Sequence, residues 1–191
     1  MTASNPGINR RDVLHIAAAS GAASLVVSQV DAASDGKDRP LEIVDTNVSL
    51  FHWPFRRLPL DVTEKLVKKL RSLGVTPAWA GSFEAILHRD MATVNQRLVR
   101  ECRQSPELVP IGSVNPLLPD WENDLQRCFQ QHDMPAVRLH PNYHGYPLTD
   151  PRFARLLQIA TAAGRFVQVA TLMEDTRTQN PLVRVADVDL G

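Results

Sequence analysis

From Leu41 onward, short runs of strand character alternate with longer runs in which apolar residues recur every three or four positions. Strands are expected over residues 42–50, 76–83, 108–115, 136–140 and 165–172, with starts spaced by 34, 32, 28 and 29 residues. A repeat of that length fits a strand, a crossover helix and the next parallel strand.

The runs between carry helix punctuation. The first helix is expected to open on Asp61 as N-cap with Glu64 three residues on, to bury Val62, Leu66, Leu70 and Leu73, and to stop at Gly74. A second starts at Asp90 with Met91, Val94, Leu98 and Cys102 on one face. A third follows Pro119-Asp120 and carries Trp121, Leu125, Cys128 and Phe129. The fourth opens with Asp150-Pro151, buries Phe153, Leu156, Leu157 and Ala160, and closes at Gly164. Both cysteines lie on apolar stripes and read as packing residues, while spacing alone leaves a Cys102–Cys128 disulfide open.

This rhythm predicts an α/β fold of the (β/α)₈ TIM-barrel type, with about the first five βα units present. A full barrel takes about 250 residues, against 191 here. The chain is thus expected to be either an open α/β sheet or the N-terminal part of a barrel. Exposed first and fifth strands favour association, either as a homo-oligomer or with a second chain completing the barrel. An apolar interior lined by Val44, Ile111, Val137 and Val167 is expected.

The first 33 residues differ. Asn9-Arg10-Arg11-Asp12-Val13-Leu14 sets paired arginines before an apolar, alanine-rich stretch over residues 13–27, with small residues near Ala32 and Ala33. This resembles a twin-arginine export signal and is too short for a membrane span. Residues 34–40 read as a polar linker and residues 41–191 as the folded part. A periplasmic or other extracytoplasmic location follows. Composition adds exclusions: 43% hydrophobic and 22% charged residues with zero net charge suit a globular protein, not a nucleic-acid or acidic-membrane partner.

Candidate chemistry gathers where strands should end. Period-two geometry puts Asp45, Asn47 and Ser49 on one face of the first strand. On the fourth, Arg138 and His140 share a face before the polar, aromatic run Asn142-Tyr143-His144. Parallel α/β folds keep their active sites at such ends.

Residues 45–51 resemble the first-strand motif of the amidohydrolase-related family, the branch with aminocarboxymuconate decarboxylases and lactonase-like hydrolases. VRLHPNYHGYPLTDPRF, residues 137–153, is similar to that family's fourth strand and following helix. The resemblance implies a barrel and chemistry on a small-molecule substrate. It also marks departures. The family's first-strand His-x-His is Asn47-x-Ser49 here, its strand-five histidine is missing around Ala170, and its strand-eight aspartate falls beyond Gly191. Amide and hydroxyl groups are poor zinc ligands beside imidazole. No metal or other cofactor is therefore expected. His52, His140 and His144 form the one plausible histidine cluster; His88 sits in the loop after the second strand, and His132 at a helix end.

The expected function is metal-independent hydrolysis of a small carboxylate-bearing ester, lactone or amide, by a chain expected to be incomplete as given and inactive without a partner. His140 and His144 are the catalytic candidates, and Asn47, Ser49, Arg138, Asn142 and Tyr143 the substrate-binding ones. Asn47 suits an oxyanion and Arg138 a bidentate carboxylate contact, unless Arg138 simply pairs with Asp45. The alternative is a non-catalytic binding or scaffold protein that keeps the fold.

Overall fold

A computed structural model of the chain describes residues 42–175 and 177–190. The expected export signal and linker lie outside the described residues. Five strands, β1 (Ile43–Leu50), β2 (Val75–Ser82), β3 (Leu108–Pro110), β4 (Ala136–Leu139) and β5 (Phe166–Val169), alternate with helices. The helices are α1 (Thr63–Ser72), α2 (Met91–Cys102), α3 (Trp121–Gln126), the single turn α4 (Pro141–His144) and α5 (Pro151–Ala162). All paired strands run parallel: β1 with β2, β2 with β3, and β4 with β5. A parallel bridge between Gly112 and Val137, with Gly112 N–H on Ala136 O and Arg138 N–H on Gly112 O, links β3 to β4.

The sheet curls. With strands about 4.8 Å apart, β4 would stand about 14 Å from β1 in a flat sheet, beyond the reach of an arginine. Yet Arg138 on β4 hydrogen-bonds β1 carbonyls at 3.0 Å, and Gln168 on β5 donates to Thr46 O at 2.9 Å.

Apolar residues sort by face. Val48 and Leu50 of β1 and Ala78 and Ala80 of β2 pack with Val67, Leu70, Leu98 and Cys102 of α1 and α2. Val137 and Leu139 of β4 join Leu125, Phe129, Phe153 and Leu156, with Val167 against them. Strand alternation then turns Arg138 and Gln168 to the opposite, inner face. The expected apolar interior is corrected on this point: Val137 and Val167 face the helices, Val44 is exposed, and the inner face of β4 is polar.

Helix starts and stops mostly follow the local chemistry, although Asp120 stands at the start of α3 without a capping bond from its side chain. Asp90 and Asp150 cap α2 and α5 by accepting from Thr93 N–H and Arg152 N–H. Gly74 and Gly164 take positive φ (68° and 63°) just past α1 and α5, where an L side chain would be strained. Asp61, however, does not cap α1. Its carboxylate is taken by Arg57 and approached by His52, Val62 stands at the cap position, and Val62 and Leu73 are exposed. Leu157 on α5 is exposed as well. Both cysteines are free and buried, each thiol pushed up to about 12, mainly by burial.

Candidate functional site

β1 carries the first irregularity of the site. Asp45 pairs with Ala78 but Val48 with Ala80, so β1 spends three residues where β2 spends two. This extra residue breaks strict alternation and re-aims side chains. Asp45, Asn47 and Ser49 thus do not share a face by simple period two. The consecutive residues Thr46 and Asn47 both line one cavity, and Ser49 turns to Arg138.

Arg138 is the centre of the arrangement. Only 3% exposed, it donates from Nη1 to Val48 O and Ser49 Oγ, from Nη2 to Thr46 O, and from Nε to Gln168 Oε1. Four of the five guanidinium N–H groups are used. Gly81 on β2 leaves room for them: a Cβ there would stand 2.8 Å from Nη1. Burial lowers the proton affinity of Arg138 to about 10, against a rise from the Asp45 charge. Asp45 does not hydrogen-bond it, however, and instead accepts the Asn47 N–H at 2.8 Å. The arrangement differs from both expectations for Arg138, since it neither pairs with Asp45 nor keeps two N–H groups for a bidentate contact.

Two residues along from Arg138, His140 stands at the cap position just before α4 and is 2% exposed. Burial, then His144, then Arg138 push its imidazole down to about 3, which keeps the ring neutral at neutral pH. His144 lies one helical turn on, its N–H bonded to His140 O, with the two rings 5.8 Å apart and edge-on. Its Nε2 meets Ala85 O at 2.9 Å. A carbonyl only accepts, so Nε2 carries the proton and Nδ1 the lone pair. Burial lowers the pKa of His144 too, opposed by that bond.

The surrounding loops hold polar atoms without protein partners. These are His140 Nδ1, His144 Nδ1, Asn142 Nδ2, Tyr146 Oη and Trp53 Nε1, all buried. Such atoms are few in native folds, and here five come from the segments following β1 and β4. Tyr143 packs edge-on against Trp53 at 6.2 Å, and Asn142 Oδ1 accepts the Tyr143 N–H. Sequence reasoning therefore named His140, His144, Asn142 and Tyr143 in one neighbourhood, and Asn47, Ser49 and Arg138 in another. It missed Gln168, Gly81, Thr46 and Trp53. Only the polar Gln168 inside an apolar strand gave a signal. His52 stays outside the cluster, 3.3 Å from Asp61, and His88 is exposed.

A cavity of about 410 Å³ opens past the end of β5 and beside the middle of β1, lined by Thr46, Asn47, Arg138 and Gln168 on the polar side and Val169, Ala170, Leu172 and Met173 on the other. The divalent metal that the family resemblance implies does not fit these residues. Ser49 Oγ already accepts from a guanidinium, which sets a cation against one would-be ligand. Among the described residues no group of three or more His, Cys, Asp or Glu side chains is placed to hold a metal. None of the described helices is long and apolar enough to cross a membrane.

No protein-family model matches the chain, and no curated protein matches it. Among solved structures it is similar to a 5-carboxyvanillate decarboxylase from Novosphingobium aromaticivorans, crystallised with manganese and 3-methoxy-4-hydroxy-5-nitrobenzoic acid. The TM-score is 0.59 at 14% identity, over 76% of this chain and 55% of that one. The chain thus spans about half the length of this neighbour. At this identity the likeness speaks for the fold: a mixed α/β chain with parallel strands, shaped as part of a TIM-barrel-like fold.

Proposed function

We propose that the chain forms the first five units of an amidohydrolase-type (β/α)₈ barrel, and that the cavity at its strand ends hydrolyses a small carboxylate-bearing ester, lactone or amide without a metal. The observation that carries this reading is the buried Arg138, held against β1 and β5 at the rim of an open, half-apolar cavity. Binding sites of parallel α/β folds lie at these strand ends.

In this reading the substrate carbonyl oxygen lies toward the Asn47 side-chain amide, which donates to it as negative charge develops. Water attacks the carbonyl carbon, a C–O bond forms, and the proton released passes to neutral His140, which is buried two residues on from Arg138 and is not among the residues lining the cavity. Burial makes the imidazolium costly, so the proton moves on to the leaving oxygen or nitrogen as its bond to carbon breaks. His144, fixed by Ala85 O, meets the His140 ring edge-on; Asn142 and Tyr143 follow on the same turn and are assigned to substrate binding only as part of this proposal. The exposed apolar side chains Ile43 and Val44 of β1 and Phe166 of β5 support a partner at these edges, whether a second copy or a chain that completes the barrel. The paired arginines Arg10 and Arg11 support export by the twin-arginine route.

The test is a panel of small carboxylate-bearing lactones, esters and amides, assayed with chelator present. Turnover that survives chelation and disappears in His140→Ala is the expected result. Turnover that depends on added manganese, or that His140→Ala leaves intact, would refute the proposal.

A further inference from the structure

No carboxylate touches the guanidinium of Arg138, and the charge of Asp45 acts on it only from a distance. The four partners of Arg138 are two backbone carbonyls, a hydroxyl and an amide oxygen, all neutral. A buried guanidinium is ordinarily met by a carboxylate, because an unpaired charge away from water is costly. This cage is built rather than incidental. The Gln168 amide accepts from Nε through Oε1 and donates through Nε2 to Thr46 O, the same carbonyl that Nη2 reaches. Gly81 clears the space for Nη1.

One N–H, on Nη2, has no partner among the described residues. Arg138 lines the cavity of about 410 Å³, and none of the other residues lining it is charged. Thr46 and Asn47 offer polar contacts, Val169, Leu172 and Met173 apolar ones.

We infer that Arg138 recognises a single carboxylate on a ligand with an apolar body, and that Gln168 is the residue that sets this charge preference. The inference rests on the proposal that this cavity is the substrate site. Gln168 holds the guanidinium in place without itself contributing a negative charge. A glutamate of the same shape would cancel the guanidinium charge and would set a carboxylate oxygen against Thr46 O.

The experiment is calorimetric titration of the full chain with benzoate and benzamide, two probes alike in size and differing in charge. Benzoate is expected to bind about tenfold tighter or more, as a charge-assisted hydrogen bond does over a neutral one. Phthalate, with two carboxylates, should bind no tighter than benzoate, and inorganic phosphate should not compete with it. Gln168→Glu should erase the preference while benzamide still binds, whereas a merely structural role would weaken both probes alike. Equal binding of the two probes, no benzoate binding, effective competition by phosphate, or a preference that survives Gln168→Glu would each overturn the inference. Benzoate binding of this pattern without turnover of any ester leaves the inference standing and removes the hydrolase reading. Equal binding together with turnover does the reverse.

Discussion

Acid should destabilise this protein through His140 before most of its carboxylates titrate. The buried ring takes a proton only near pH 3 in the folded chain, against the ordinary 6.5 once unfolded. Between those values the unfolded state binds more protons, so stability rises with pH. The contribution is complete above 6.5 and is lost as pH falls toward 3. At roughly 1.4 kcal/mol per pH unit, acidifying from 6.5 to 4.5 removes about 3 kcal/mol through this one residue. Carboxylates held low by partners, such as Asp61, Asp150 and Glu107, withdraw support only below their ordinary 3.8 to 4.5. His144 and His132, also lowered, act in the same sense as His140, while Asp124, raised by burial, acts in the opposite one. Comparison with His140→Gln isolates the residue. Urea unfolding followed by circular dichroism at steps from pH 7 to 4.5 should give a steeper loss for the wild type than for the variant. Parallel curves would refute a buried, neutral His140.

Other expectations follow from packing and targeting. Gly112→Ala places a Cβ 2.5 Å from Cys128 Sγ and 2.9 Å from Met134 Sδ. It should cost about 1–3 kcal/mol, read by thermal unfolding, and Cys128→Ala in the same chain should relieve part of that cost. Asn95, 2% exposed, bonds both Ser113 N–H and Ser113 O at 2.8 Å, so Asn95→Ala should cost about 1–3 kcal/mol by chemical denaturation. Replacing Arg10 and Arg11 with lysine should hold the protein in the cytoplasm on fractionation, because the export receptor reads the guanidinium pair.

Periodicity made most of the scaffold legible. The apolar stripes of α2 and α3 are buried as their spacing implies, because nothing in the tertiary structure competes with them. The α1 cap was not legible: Asp61 looks like a capping residue until Arg57 and His52, four and nine positions earlier, fold back onto it. β3 is shorter than the run at 108–115 suggests: its ladder to β2 ends with the Ala80–Pro110 pair and the bond from Ile111 N–H to Ala80 O, and Gly112 then pairs with β4. At the site, residue type and strand position were enough to single out Arg138 and His140. What they bond to was not readable. Two of the four partners of Arg138 are backbone carbonyls some 90 residues away, reached through the curl of the sheet beside a bulge in β1 that strict alternation hides.

The claim at the centre of this account is hydrolysis at the strand-end cavity, and the most direct test follows the oxygen atom. A carboxylate-bearing lactone or ester would be incubated with the full chain in water enriched in the heavy oxygen isotope, with chelator present, and the products weighed by mass spectrometry. The account predicts one solvent oxygen in the newly formed carboxylate of the product and no loss of carbon dioxide. Release of carbon dioxide without solvent oxygen in the product would contradict it and would assign the cavity to decarboxylation.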